Sequence, residues 1–182
     1  MPNKQKQDPK TSAQELLEKC NIRSFPVPIE KIAKFLGAQI RFSPLDKDLS
    51  GMVYIKDGVP IIGVNALHHP NRQRFTIAHE IAHIILHKEE LSEEVHVDKQ
   101  FPILMRDHLA STGTDQREMA ANDFAANLLV PQEALEKALK DITTDDIDDE
   151  PLDDLAKKFK VSRQMLEYRI RNLLQETKKP KN

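Results

Sequence analysis

Cysteine is nearly absent from this chain. Cys20 stands alone among 182 residues, which excludes an internal disulfide. No apolar run approaches the ~20 residues that a membrane span needs. Neither sign of charge prevails. Lys and Arg number 27 against 29 Asp and Glu, so no global field draws the chain to nucleic acid or to a membrane surface. Met1 to Lys10 is polar and lacks the apolar region of a signal peptide. No internal repeat is apparent. The expectation is a soluble, cytoplasmic protein with no membrane partner. Hydrophobic residues make up 39% of the chain, which permits one compact domain and a small appendage.

What is present is organised around the stretch from Arg74 to His87. From Phe75 to Leu86 it is apolar except for Thr76, His79, Glu80 and His83, and neither Pro nor Gly interrupts it. The pattern predicts a helix packed on several sides. Burying two imidazoles and a carboxylate there costs roughly several kcal/mol unless they are paired or bind a metal. His79 and His83 are four apart and share a face, while Glu80 lies about 100° around the axis. This is the HExxH arrangement, in which two histidines ligate Zn²⁺ and the glutamate acts on a bound water. A buried His-Glu pair satisfied by hydrogen bonds is the plainer alternative. The apolar helical frame and a third candidate ligand downstream argue against it.

The rest of the chain divides around that helix. Residues 1–10 read as a disordered tail and 11–140 as the core domain. Ser12-Ala13-Gln14-Glu15 resembles a capping box opening a short helix through Cys20. A second helix is expected from Pro28 to Leu36, stopped by Gly37. Three strands follow, at Gln39–Phe42, Gly51–Lys56 and Val59–Asn65, the last two joined at Asp57-Gly58, a strong hairpin signal. Residues 89–112 read as irregular. Thr114 is expected to cap the next helix, which runs to about Leu129, and Pro131 to open another, Gln132–Leu139. Residues 141–150 form an acidic linker, 151–176 a basic helical unit, and 177–182 a second tail.

A catalytic zinc site commonly takes three protein ligands and keeps one open position. Candidates for the third are His87, Glu93, Glu94, His96, Asp98, Asp107, His108, Asp115 and Glu118. His87 lies about 12 Å along the helix from His79, too far for one ion to reach both on an unbroken helix, so a helix-end or supporting role suits it better. Glu118 and Asn122 are four apart on a helix whose Ala121 and Ala125 permit close approach to a neighbour. Glu118 could reach the metal while Asn122 bonds the free nitrogen of a ligand histidine. A solvated helix-terminal acid is the plain reading of Glu118.

The run Arg72-Gln73-Arg74-Phe75-Thr76-Ile77-Ala78-His79-Glu80-Ile81-Ala82-His83 resembles the ImmA/IrrE family of metallopeptidases. So does Glu118-x-x-Ala121-Asn122-x-Phe124-Ala125-Ala126-x-Leu128-Leu129-x-Pro131, as do Ile61-Ile62-Gly63-Val64-Asn65 and Pro26-Val27-Pro28. Val130 stands where the family more often has Met, a departure that touches packing only. The resemblance implies an α+β, zincin-like core: a small, mostly antiparallel sheet, the HExxH helix and a Glu-bearing helix. It carries metal ligation onto His79, His83 and Glu118, and the base role onto Glu80. Zn²⁺ is the expected ion, with Mn²⁺ or Fe²⁺ as chemically reasonable substitutes. Tyr54, His68, His69 and His108 are candidates to stabilise an oxyanion.

Residues 152–173 look like a helix-turn-helix. Leu152, Leu155, Ala156 and Phe159 give one apolar face, Ser162 caps the second helix, and Arg163, Gln164 and Arg169 are candidate contacts to DNA or a partner protein. The alternative is a helical hairpin docked on the core. Two such helices seldom form an independent DNA-binding domain. The family resemblance implies proteolysis of a helix-turn-helix transcriptional repressor, which makes a protein partner at least as expected as DNA. A non-catalytic DNA-binding or repressor-binding regulator, part of a toxin–antitoxin-like pair, is the competing class.

Overall fold

The computed structural model describes residues 8–91, 96–99, 113–140 and 150–178. Helix α1 (Pro9–Lys19) starts earlier than the Ser12 box predicts. Asp8 is its N-cap: the carboxylate accepts from the Thr11 N–H at 2.8 Å, and Pro9 fills the first turn, where no N–H is needed. Pro9 and Lys10 therefore belong to a helix and not to a tail. Helix α2 (Ile29–Phe35) buries Ile29, Ile32 and Ala33, and Gly37 follows it at φ 73°, the stop expected there.

Strands β1 (Gln39–Ser43), β2 (Leu49–Lys56) and β3 (Val59–Asn65) follow. Asp57 and Gly58 both take positive φ, 52° and 78°, the geometry a two-residue hairpin turn demands. Next come the long helix α3 (Pro70–Leu86), the short α4 (Lys88–Leu91) and strand β4 (His96–Lys99). Within the stretch expected to be irregular, the described residues thus hold a helical turn and a strand. The four strands lie in the order β1-β3-β2-β4. β1 runs parallel to β3, while β2 is antiparallel to both β3 and β4, so the sheet is mixed and mostly antiparallel.

Helices α5 (Gly113–Leu129), α6 (Gln132–Lys140), α7 (Glu150–Phe159) and α8 (Arg163–Lys178) complete the chain as described. α5 already includes Gly113, so Thr114 lies inside its first turn instead of capping it. Ser162 Oγ accepts from the Met165 N–H at 3.2 Å, the cap foreseen for α8. Leu155, Ala156 and Phe159 of α7, Val161 of the turn, and Met165, Leu166 and Leu173 of α8 are buried in the same apolar cluster as Ala13, Ile32, Ile77 and Phe124. Each large side chain buried there is worth roughly 1.5–3 kcal/mol, so the hairpin packs as part of the core. Most of the acidic linker, 141–149, lies outside the described residues. Among the described residues, no helix is long and apolar enough to cross a membrane.

Candidate metal centre

Every residue of α3 from Thr76 to Ile84 is buried. The helix is enclosed by β2 and β3 on one side and by α2 and α5 on others, which explains an apolar pattern covering most of its circumference. Ala78 and Ala82 on α3, and Ala121 and Ala125 on α5, are all fully buried. Side chains this small let the two helix backbones approach closely. Polar residues on the facing surfaces then meet directly.

They meet at one point. His79 Nε2 lies 3.1 Å from Glu118 Oε2 and 3.1 Å from His83 Nε2, and His83 Nε2 lies 3.5 Å from Glu118 Oε1. All three residues are buried, and they form a group that could hold a metal ion. Four ligands at 2.0–2.1 Å around a tetrahedral ion would be separated from one another by about 3.3 Å, and the observed spacings bracket that value.

Proton positions reinforce the fit. His79 Nδ1 lies 2.9 Å from Asn122 Oδ1, an oxygen that can only accept, a contact that suits the tautomer with the proton on Nδ1. In the neutral imidazole, Nε2 is then a bare lone pair aimed at the common point. His83 Nδ1 lies 3.1 Å from His87 Nδ1; with the proton on His83, its Nε2 is likewise a lone pair. Two such lone pairs and a carboxylate, gathered out of water, repel one another unless a cation lies between them. His₂Glu is a donor set of catalytic zinc. Nitrogen and oxygen donors leave Mn²⁺ and Fe²⁺ possible as well.

Glu80, between the two histidines in sequence, is fully buried and turned towards the sheet. A Cβ placed on Gly51 of β2 would stand 3.2 Å from Glu80 Oε1, 2.8 Å from the Gly63 carbonyl and 2.3 Å from Thr76 Cγ2. Gly51 thus makes the room in which α3 and its carboxylate rest against the strand. Its place inside the strand became visible only with β2 beginning at Leu49, and a glycine inside a strand marks a close approach. His87 ends α3 as its C-cap while bonding His83, combining the helix-end and supporting roles.

Of the other third-ligand candidates, Glu93, Glu94, Asp107 and His108 lie outside the described residues. His96 and Asp98 fall on β4, and Asp115 in the first turn of α5. Of the oxyanion candidates, His69 is the N-cap of α3, its Nδ1 accepting from the Asn71 N–H at 3.2 Å, roughly 15 Å along the axis from His79. His68 approaches Asn65, and burial, with Arg72 nearby, holds its imidazole below the ordinary histidine range. Tyr54 is half-buried on β2.

The three candidate contact residues of the hairpin divide sharply. Gln164 is exposed. Arg163 is paired with Asp153 at 3.3 Å and Glu167 at 2.8 Å, tying α7 to α8. Arg169 corrects the expectation of a surface contact. It is fully buried, with Nε donating to the Val130 carbonyl at 3.1 Å, so its side chain lies in the core and not on the surface.

A His-Glu-x-x-His helix on a mixed sheet, completed by a glutamate from a second helix, is consistent with a zincin-like core. Residues 33–171 match the model of a peptidase family described as the IrrE N-terminal-like domain. The chain belongs to this ImmA/IrrE family of metallopeptidases. Among solved structures, a Mycobacterium tuberculosis transcriptional regulator is similar over 89% of this chain and 55% of its own, with a TM-score of 0.61 and 18% identity. The chain therefore spans about half the length of that protein. No curated protein matches the chain significantly.

Proposed function

We propose that the chain is a zinc-dependent endopeptidase that cleaves a helix-turn-helix transcriptional repressor and so relieves repression. The observation that carries this reading is the convergence of His79, His83 and Glu118 on one buried point, beside Glu80 on the same helix. Family membership supports hydrolysis of peptide bonds. The similar mycobacterial structure is named a transcriptional regulator, which favours a regulatory setting.

His79, His83 and Glu118 would hold the ion. Bound Zn²⁺ would supply Lewis acidity, polarising a water and the scissile carbonyl. Glu80 would take the proton that the attacking water loses and pass it to the departing amine nitrogen. Asn122 and His87 would keep the Nδ1 protons in place, so that both Nε2 lone pairs remain available. The packing around α3 would shield Glu80 from bulk water and keep its proton transfers local.

The partner in this reading is a protein. A second reading, a non-catalytic regulator on the same scaffold that binds DNA or a repressor, draws on the helix-turn-helix-like hairpin and its exposed Gln164. One experiment separates them. Metal-loaded protein and its Glu80→Gln variant are incubated with the helix-turn-helix repressor encoded nearest the gene, and fragments are sought by mass spectrometry. Cleavage by the wild type alone is expected. An intact repressor held in a stable complex by both proteins would favour the second reading.

A further inference from the structure

The hairpin of α7 and α8 touches both helices of the candidate centre. At its turn, the Val161 carbonyl accepts from Asn71 Nδ2 at 3.0 Å, and the Lys160 carbonyl from Arg74 Nε at 3.3 Å. Both donors stand in the first turns of α3, and Arg74 also donates to the Val27 carbonyl at 2.8 Å. Further along, the Tyr168 hydroxyl donates to the Asp123 carboxylate, and Arg169 grips the Val130 carbonyl just past the end of α5. One hairpin is thus anchored on α3 by its turn and on α5 by its second helix.

The arrangement bears on the centre because the site is split in the same way. His79 and His83 come from α3, Glu118 and Asn122 from α5. A metal tolerates ligand distances only within about 0.2 Å, so a small slide of α5 along α3 would spoil the set. Asp123 directly follows Asn122, and a force on its carboxylate acts on the same helical turn. Burial holds the Tyr168 phenol well above its ordinary pKa, which keeps it a hydrogen-bond donor.

We infer that the hairpin is a positioning clamp for the candidate metal centre, with Tyr168 setting α5 through Asp123 while Asn71 and Arg74 hold the same hairpin to α3. This rests on the metal-site reading above. Tyr168 is a positioning residue. It acts on the ligand set through α5. A purely structural role would alter stability and leave the metal geometry alone.

The test is Co²⁺ binding by the full chain, measured by chelator competition and by the visible spectrum of the bound ion. Wild type is expected to bind one equivalent, and His79→Ala none. Tyr168→Phe is expected to bind about tenfold more weakly, with a shifted spectrum. Asn71→Ala, which cuts the anchor on α3, should weaken binding in the same direction and serves if Tyr168→Phe folds poorly. Asp123→Asn keeps an acceptor oxygen for the Tyr168 hydroxyl and should retain wild-type affinity. Ile40→Ala on β1, remote from the clamp, should lower thermal stability without moving affinity or spectrum. Wild-type binding that Tyr168→Phe and Asn71→Ala leave unchanged would overturn the clamp alone. A wild type that binds no Co²⁺ or Zn²⁺ would overturn the metal reading, and the clamp with it.

Discussion

Asn122 Oδ1 stands 2.9 Å from His79 Nδ1, an acceptor that suits the tautomer whose lone pair lies on Nε2. Replacing Asn122 with Ala frees the tautomer and the ring orientation. Metal affinity should fall about 10–100-fold, while Asn122→Asp, which keeps the acceptor, should retain it. Competition against a zinc chelator measures both. Equal affinity in Asn122→Ala and wild type would remove Asn122 from the site.

Metal binding should also appear as stability. At a Zn²⁺ concentration near 100 times Kd, the folded state gains about 2.7 kcal/mol, which for a chain of this size raises Tm by roughly 5–10 °C. Chelation should reverse the rise, and Glu118→Gln should largely abolish it. A thermal melt with and without metal decides the matter.

Gly51→Ala tests the seat of Glu80. The new methyl meets Thr76 Cγ2 and the Gly63 carbonyl below ordinary contact distance, and it presses on Glu80. A destabilisation of about 1–3 kcal/mol is expected from overpacking. Cleavage should fall further than the unfolded fraction explains. Urea midpoints alongside repressor cleavage rates separate the two effects.

Arg169 and Gln164 make a contrasting pair on one helix. Arg169→Ala leaves a cavity and an unmet Val130 carbonyl, at a cost of about 3 kcal/mol or more. Gln164→Ala on the exposed face should stay within about 0.5 kcal/mol. Comparable denaturation midpoints for the two variants would contradict the buried placement of Arg169.

Tyr168 gives a signature in alkali. Burial first, then the neighbouring Asp123 charge, raises its folded pKa above the ordinary 10.0. The stability linked to that shift is fully present below pH 10 and is lost as pH rises towards the folded value. The slope is at most about 1.4 kcal/mol per pH unit. Wild type should therefore lose stability faster than Tyr168→Phe between pH 10 and 12, as followed by urea unfolding at each pH. Parallel curves would show that the phenol has no raised pKa.

What could be read from the sequence was what local periodicity encodes. The HExxH helix, the Asp57-Gly58 turn, the Ser162 cap and the shared face of Glu118 and Asn122 all lie within one or two turns of chain. The start of α1 was misplaced because the polar stretch before Ser12 hid a better cap at Asp8. β4 escaped because its four residues acquire meaning only by pairing with β2. Arg169 was misassigned on charge, although it lies three after Leu166 and four before Leu173, on the helix face that turns inward. The contacts of Asn71 and Arg74 with the hairpin turn join residues nearly half the chain apart, and no spacing rule reaches that far.

The docking of the hairpin has a consequence for how the protein comes into being. During synthesis, α7 and α8 leave the ribosome after His79, His83 and Glu118 have all emerged. A nascent chain, or a product broken off before Glu150, would carry every ligand yet lack the contacts that brace α3 against α5. The braced form of the candidate centre would then arise only after residues 150–178 have emerged. Ligands present in the chain and ligands held in register would thus be separated in time by the synthesis of the hairpin.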